Sequence, residues 1–148
     1  MPFSNAYANE LLDYTLGKVA NISTAPTNIY IGLSSNDPEA DGGTFNELSG
    51  NAYARVLVSI RNQTYPDLIS RASDREIKNI KQVNWNKATG DWGTPKGFGL
   101  FSQETGGSPF FYGKLDSTDN VSAGAVALFD PGAFKISFPT KDSDDTDQ

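Results

Sequence analysis

The chain has 148 residues, of which 37% are hydrophobic and 11% aromatic, the size of a single domain with enough apolar side chain for a compact core. Its net charge of -6 and the lack of any Lys/Arg cluster argue against a nucleic-acid partner, because phosphate binding needs a concentrated basic stripe. Cysteine and histidine are both absent, which excludes disulfides, thiolate chemistry, His-dependent triads and nearly every common zinc site. No run is long and apolar enough to span a bilayer, and no basic region followed by an apolar core opens the chain. It therefore reads as a soluble protein made without a signal peptide and with no membrane partner. The 14 glycines and 8 prolines, spread along the chain, favour a turn-rich β fold.

Residues 4–20, SNAYANELLDYTLGKVA, form the one strong helical pattern. Tyr7, Leu11 and Tyr14 share a stripe, with Leu12, Leu16 and Val19 beside it, and Ser4 or Asn5 can cap the start. Such a helix either packs on a sheet or serves as an arm on a neighbouring subunit. Residues 27–34, TNIYIGLS, alternate as a strand with Ile29, Ile31 and Leu33 on one face. A long polar loop follows over residues 36–51. Its Asp37, Glu39 and Asp41 have the alternate spacing of a calcium loop, but Pro38 intrudes, no helix precedes it, and no Glu stands at the twelfth position.

Residues 53–60, YARVLVSI, are a nearly apolar strand of the kind covered on both faces. Arg55 is its one charge, which either reaches the edge of the sheet or pairs with a carboxylate such as Glu47. Residues 61–79 are polar and irregular, with charges at Arg71, Asp74, Arg75, Glu76 and Lys78, and read as a surface excursion or a partner-binding loop.

Residues 83–115 hold both tryptophans, Trp85 and Trp92, and five further aromatics. Three apolar runs, 83–85, 95–101 and 109–115, separated by turns rich in Gly, Asp and Ser, predict a β-meander at the centre of the core. In the middle run Phe98 and Leu100 lie on one face, with Gly97, Gly99 and Phe101 on the other. Two short strands follow, over residues 125–129 and 133–138, joined by the turn Asp130-Pro131-Gly132. The fold class is thus mainly β: an antiparallel β-sandwich of about seven strands with one N-terminal α-helix. Residues 1–20 are expected to be a helical arm, 21–139 the β-sandwich domain, and 140–148 a disordered acidic tail.

Chemistry is thin in this sequence. Asp91, Glu104, Asp116 and Asp119 are the acids from which a glycosidase pair would be drawn, yet they sit in Gly-rich turns where acids serve turn geometry. Gly97-x-Gly99 and Gly106-Gly107 lack the strand-to-helix context of a phosphate loop. Trp85, Trp92 and Tyr112 would stack on sugar rings only if they formed an exposed platform, whereas their spacing makes them core residues. No catalytic residue, cofactor site or metal ligand is assigned.

The ordered runs Gly50-Asn51-Ala52-Tyr53-Ala54-Arg55, Ala88-Thr89-Gly90-Asp91-Trp92-Gly93, Gly99-Leu100-Phe101, Thr105-Gly106-Gly107 and Phe111-Tyr112-Gly113 resemble a family of small tailed-bacteriophage proteins. Its members, described as tail-fibre-like or virion structural proteins, share a pattern of GYAR, ATGDWG, GLF, TGG and FYG. The resemblance covers about residues 29–138. It departs at Lys96-Gly97-Phe98, where a polar or aromatic residue, often His, precedes the GLF strand. It implies a virion component assembled in a host bacterial cytoplasm, and it carries over no catalytic residue.

Size, acidity and the lack of chemistry suit a head decoration (cement) protein bound to the major capsid protein, as a symmetric homo-oligomer such as a trimer. The alternative is a tail-associated adaptor or tail-fibre module bound to other virion proteins, although a long fibre should show repeats or heptads and this chain has neither. A carbohydrate-binding module is the third reading, and it fails if Trp85 and Trp92 are buried. Tyr7, Leu11, Arg71 and Arg75 are the residues expected near subunit contacts.

Overall fold

The computed structural model describes residues 4–21, 26–116 and 119–137; the acidic tail expected at 140–148 lies outside them. Among the described residues one helix precedes eight strands, all paired antiparallel. The mainly β fold with an N-terminal helix is as expected.

Helix α1 (Asn5–Thr15) is capped by Ser4, whose Oγ accepts from the Tyr7 amide. It ends five residues earlier than the apolar spacing predicted. Gly17 takes a left-handed φ of 77°, Gly17 N–H donates to Tyr14 C=O at 3.2 Å, and Lys18 N–H reaches Asp13 C=O at 2.7 Å. These two bonds make a Schellman stop, and the glycine makes it cheap. Leu16 and Val19 therefore leave the helix and do not extend its stripe.

The main sheet has the order β2-β1-β5-β6, with β1 (Asn28–Ser34), β2 (Val56–Ile60), β5 (Gly97–Phe101) and β6 (Phe111–Lys114). The β1/β5 register sets Ile31 opposite Leu100 and Leu33 opposite Phe98, which places four core side chains on one face. On the opposite face Gly32 meets Gly99. That glycine pair leaves a shallow strip onto which Phe45, Tyr53 and Phe101 press: a Cβ at Gly99 would sit 2.9 Å from the Phe45 ring. The strand alternation read in 95–101 is therefore real, although both faces are buried.

Strand β2 begins at Val56 and is an edge strand with only Val58 fully buried, so the expected coverage of both faces does not hold. The predicted meander holds only for the β5–β6 hairpin. Its first member, β4 (Val83–Lys87), pairs instead with β7 (Val126–Phe129), because the segment after Lys87 is drawn away from β5 toward Asn51 and Val121. The irregular stretch 61–79 ends in a short strand, β3 (Glu76–Lys78), which pairs with β8 (Lys135–Ser137). Asn79, 1% exposed, fastens this pair: its Oδ1 accepts from Phe134 N–H, and its Nδ2 donates to the carbonyls of Lys81 and Asp130.

The two-stranded pairs pack on the main sheet through one core. Val83, Trp85 and Phe134 join Ile31, Leu33, Val58, Phe98 and Leu100 in it. Phe98 meets Phe134 edge-on at 5.3 Å and Phe129 at 6.2 Å. This is the second layer of the sandwich.

Candidate functional site

Two of the runs that carried the resemblance, 50–55 and 88–93, meet in space. Gly50, Asn51 and Ala52 are three consecutive left-handed residues, with φ of 75°, 53° and 72°. Glycine adopts this conformation freely and asparagine tolerates it, but an alanine there costs about 1–2 kcal/mol. The loop is held by bonds to the Ala88–Gly93 run. Asn51 C=O accepts from Trp92 Nε1–H at 2.9 Å and from Thr89 N–H at 3.1 Å, while Asn51 Nδ2 donates to Asp91 C=O at 3.1 Å. Asn86 Nδ2 donates to Ala52 C=O at 3.0 Å. The approach is close enough that a Cβ at Gly90 would stand 2.7 Å from the Asn51 side chain.

The same run is fastened on its other side. Trp92 N–H donates to Val121 C=O and Val121 N–H to Gly93 C=O, both at 2.8 Å, and Asp91 Oδ1 accepts from Ala123 N–H at 3.1 Å. Trp92 is buried, and Tyr53 meets its ring edge-on at 5.4 Å.

From Tyr53 the network runs into a buried ion pair. Tyr53 Oη accepts from Leu33 N–H at 2.9 Å and donates to Glu47 Oε2 at 2.8 Å. Arg55 grips the same carboxylate with Nε at 2.8 Å and Nη2 at 2.7 Å, donates Nη1 to Gln103 C=O at 2.8 Å, and lies 3.5 Å over the Phe101 ring. This bidentate, stacked geometry belongs to arginine and not to lysine. Burial pushes the Tyr53 hydroxyl far above its ordinary range; the Leu33 amide opposes this and the Glu47 charge adds to it. A Cβ at Gly32 would come within 2.9 Å of both Glu47 Oε2 and Tyr53 Oη, so the glycine in β1 makes room for this cluster.

Chemically, the cluster ties loops together. Its one carboxylate is neutralised by a guanidinium, and the Tyr53 hydroxyl beside it is engaged by Leu33 N–H and by Glu47 itself. The other acids are occupied separately: Asp37 Oδ1 caps Glu39 N–H and Ala40 N–H, Asp41 binds Asn36, and Glu39 accepts from Lys114 N–H. These are three different tasks, which explains the calcium-like spacing without an ion. Among the described residues no three acids gather where a metal would sit. Glu104 is exposed in the β5–β6 connection, and Asp116 and Asp119 are exposed in the connection that follows β6.

Trp85 and Trp92 are 3% and 7% exposed, so the sugar-stacking platform that the third reading required is not there. Trp85 Nε1 has no hydrogen-bond partner among the described residues, and its ring meets Phe129 edge-on at 5.3 Å.

The four residues expected at subunit contacts fall in different settings. Tyr7 is half-buried, its ring against Phe110 at 5.3 Å and Phe111 at 5.8 Å, so it anchors α1 to β6 within the chain. Burial raises its hydroxyl pKa, an effect that the nearby Arg61 charge opposes. Leu11 is partly buried. Arg71 is exposed and shares with Arg61 a groove of about 420 Å³. Arg75 is exposed on a turn with a φ of 64°. The interlocking of 50–55 with 88–93 was not foreseen; its only trace in the sequence is a pair of Gly/Asn/Asp turns far apart in the chain.

The fold and this cluster define a small antiparallel β module whose buried polar residues hold its own loops in place. Residues 2–137 match the family model described as podophage GP4 fiber I protein gp80, and the chain belongs to that family. It is therefore a member of a family of phage virion structural proteins, which supports the resemblance at that level without singling out its ordered pattern. No curated protein compared with the chain matches it.

Proposed function

We propose that this chain is a non-enzymatic structural component of a phage tail fibre or its attachment to the tail. The observation that carries this reading is the family match over residues 2–137, to a protein described as a fibre. The way the cluster residues are used supports it: Trp92, Asn51, Tyr53, Glu47 and Arg55 bond to one another and to backbone, which leaves no acid, base or nucleophile among them free to act together. Head decoration, the first expectation from size and acidity, has no comparable support. Partners on this reading are other virion proteins, and the exposed Arg71 and Arg75 are suited to meet acidic surfaces on them. Arg71→Glu with Arg75→Glu is expected to lower incorporation into particles without changing the melting temperature.

Electron microscopy of particles labelled with gold-tagged antibody against this chain tests the assignment. Label on the tail supports it. Label spread over the shell means decoration and overturns it.

A further inference from the structure

Strand β6 is an edge of the main sheet, paired on one side only, with β5. Edge strands turn unpaired N–H and C=O groups outward, and an uncovered edge is a template for strand addition by another chain. Leu115 N–H bonds inward to Lys96 C=O at 2.9 Å, so antiparallel alternation turns the backbone groups of Lys114 and Tyr112 outward. Both ends of this edge carry a plug. Glu39 Oε2 accepts from Lys114 N–H at 2.8 Å, and Ser4 N–H donates to Phe110 C=O at 2.9 Å. Between them, Tyr112 makes no outward backbone bond among the described residues.

Glu39 reaches Lys114 because the loop that carries it is held in shape from within. Asp37 Oδ1 accepts from Glu39 N–H at 2.9 Å and from Ala40 N–H at 3.3 Å, an Asx turn that fixes the Glu39 backbone. Asn36 Nδ2 donates to Asp41 Oδ2 at 2.7 Å and to Thr44 C=O at 2.8 Å, while its Oδ1 accepts from Asn46 N–H at 2.9 Å. The loop is also seated on the β5–β6 hairpin. Pro38 is buried against Gly97, and a Cβ at Gly43 would stand 3.2 Å from Tyr112 Oη. The calcium-like spacing is thus that of a turn in which Asp37 and Asp41 hold the shape and Glu39 is presented to the sheet edge.

We propose that Glu39 is an edge guard, which keeps β6 from pairing with β6 of a second copy of this chain. A twofold antiparallel pairing sets the same edge on itself, and every copy supplies that edge at the same concentration. An incoming strand has to push the carboxylate off Lys114 N–H or bury it beside its own carbonyls. Among the described residues no ion pair offsets Glu39, and taking a carboxylate out of water without a cation is costly. The inference does not rest on the fibre reading, since pairing through β6 is a wrong assembly wherever in the virion the chain sits.

The test uses the purified full chain. Glu39→Ala removes the guard and leaves the bonds of Asn36, Asp37 and Asp41 in place. Sedimentation velocity over a concentration series is expected to show self-association at least about tenfold tighter than that of the wild type, with unchanged near-ultraviolet circular dichroism. In the associated variant the Tyr112 amide should exchange with solvent hydrogen more slowly than in the wild type. Lys114→Pro removes an outward N–H, a change that an edge strand tolerates, so Glu39→Ala/Lys114→Pro should return to wild-type association. Exchange reads the edge without altering it, so the test stands even where the proline variant does not fold. Glu39→Ala associating no more than the wild type, association without slower exchange at Tyr112, or a folded double variant that associates as Glu39→Ala does would each overturn the proposal.

Discussion

Trp92 donates its indole N–H to the main-chain carbonyl of Asn51 across 2.9 Å, joining segments 41 residues apart. The bond explains how a left-handed Ala52 is tolerated next door: the loop is held from outside by Trp92, Thr89 and Asn86. Trp92→Phe keeps most of the packing and removes this bond, and should cost about 1–2 kcal/mol, whereas Trp92→Ala should cost about 3–5 kcal/mol. Urea unfolding curves check both.

Ala52 gives a test of opposite sign. Glycine relieves about 1–2 kcal/mol of left-handed strain and gives back about 0.5–1 kcal/mol in chain entropy. Ala52→Gly is therefore expected to raise the melting temperature slightly. Ala52→Val, β-branched at positive φ, should lower stability by about 1–3 kcal/mol.

The Glu47–Arg55 pair should behave as a buried ion pair does. The Arg55 side chain is 2% exposed and that of Glu47 is 25% exposed, so Glu47→Ala strands a buried guanidinium and should cost about 3 kcal/mol. Arg55→Met keeps the contact with Phe101, and the double variant Glu47→Ala/Arg55→Met should cost less than the two single changes added together. Denaturant titration of the four proteins closes this cycle.

Alkaline pH should unfold the chain through Tyr53. Its ordinary pKa is 10.0, and burial raises it in the folded state. The folded state thus prefers the protonated phenol. That preference leaves stability untouched below pH about 10, and stability falls above it as the unfolded chain ionises, by up to about 1.4 kcal/mol per pH unit for one group. Tyr7 shifts in the same direction. Tyr53→Phe should be less stable at neutral pH, having lost two hydrogen bonds, yet show a shallower decline above pH 10. Circular dichroism melts across that range check the slope.

Gly97 is the tightest backbone approach in the main sheet. An added Cβ would collide with Pro38 Cδ and Ser34 Oγ. Gly97→Ala should therefore displace the 36–44 loop and cost about 1–3 kcal/mol, read by thermal melting.

The parts that were legible in the sequence are those governed by local rules. Ser4 caps α1, Ile31 and Leu33 face the core, and Phe98 and Leu100 part from Gly99 and Phe101 because period-two alternation is a property of the strand itself. The failures come from non-local choices. Val83–Lys87 has the composition of a meander strand, and nothing in it says that its partner is Val126–Phe129 and not the next strand. Leu16 and Val19 continue the helical spacing, but the left-handed Gly17 stops the helix first. Arg55 could be matched to Glu47 because a lone charge near a buried strand needs a partner. The joining of Asn51 to Trp92 could not be seen, because a main-chain carbonyl carries no sequence signature.

Counting this chain in purified virions against the major capsid protein, by quantitative mass spectrometry, tests the central claim most directly. A fibre component should be present at a small fraction of the capsid subunit number. Near-equal copies would mean that the chain coats the shell, and absence from particles would mean that it is no virion component at all.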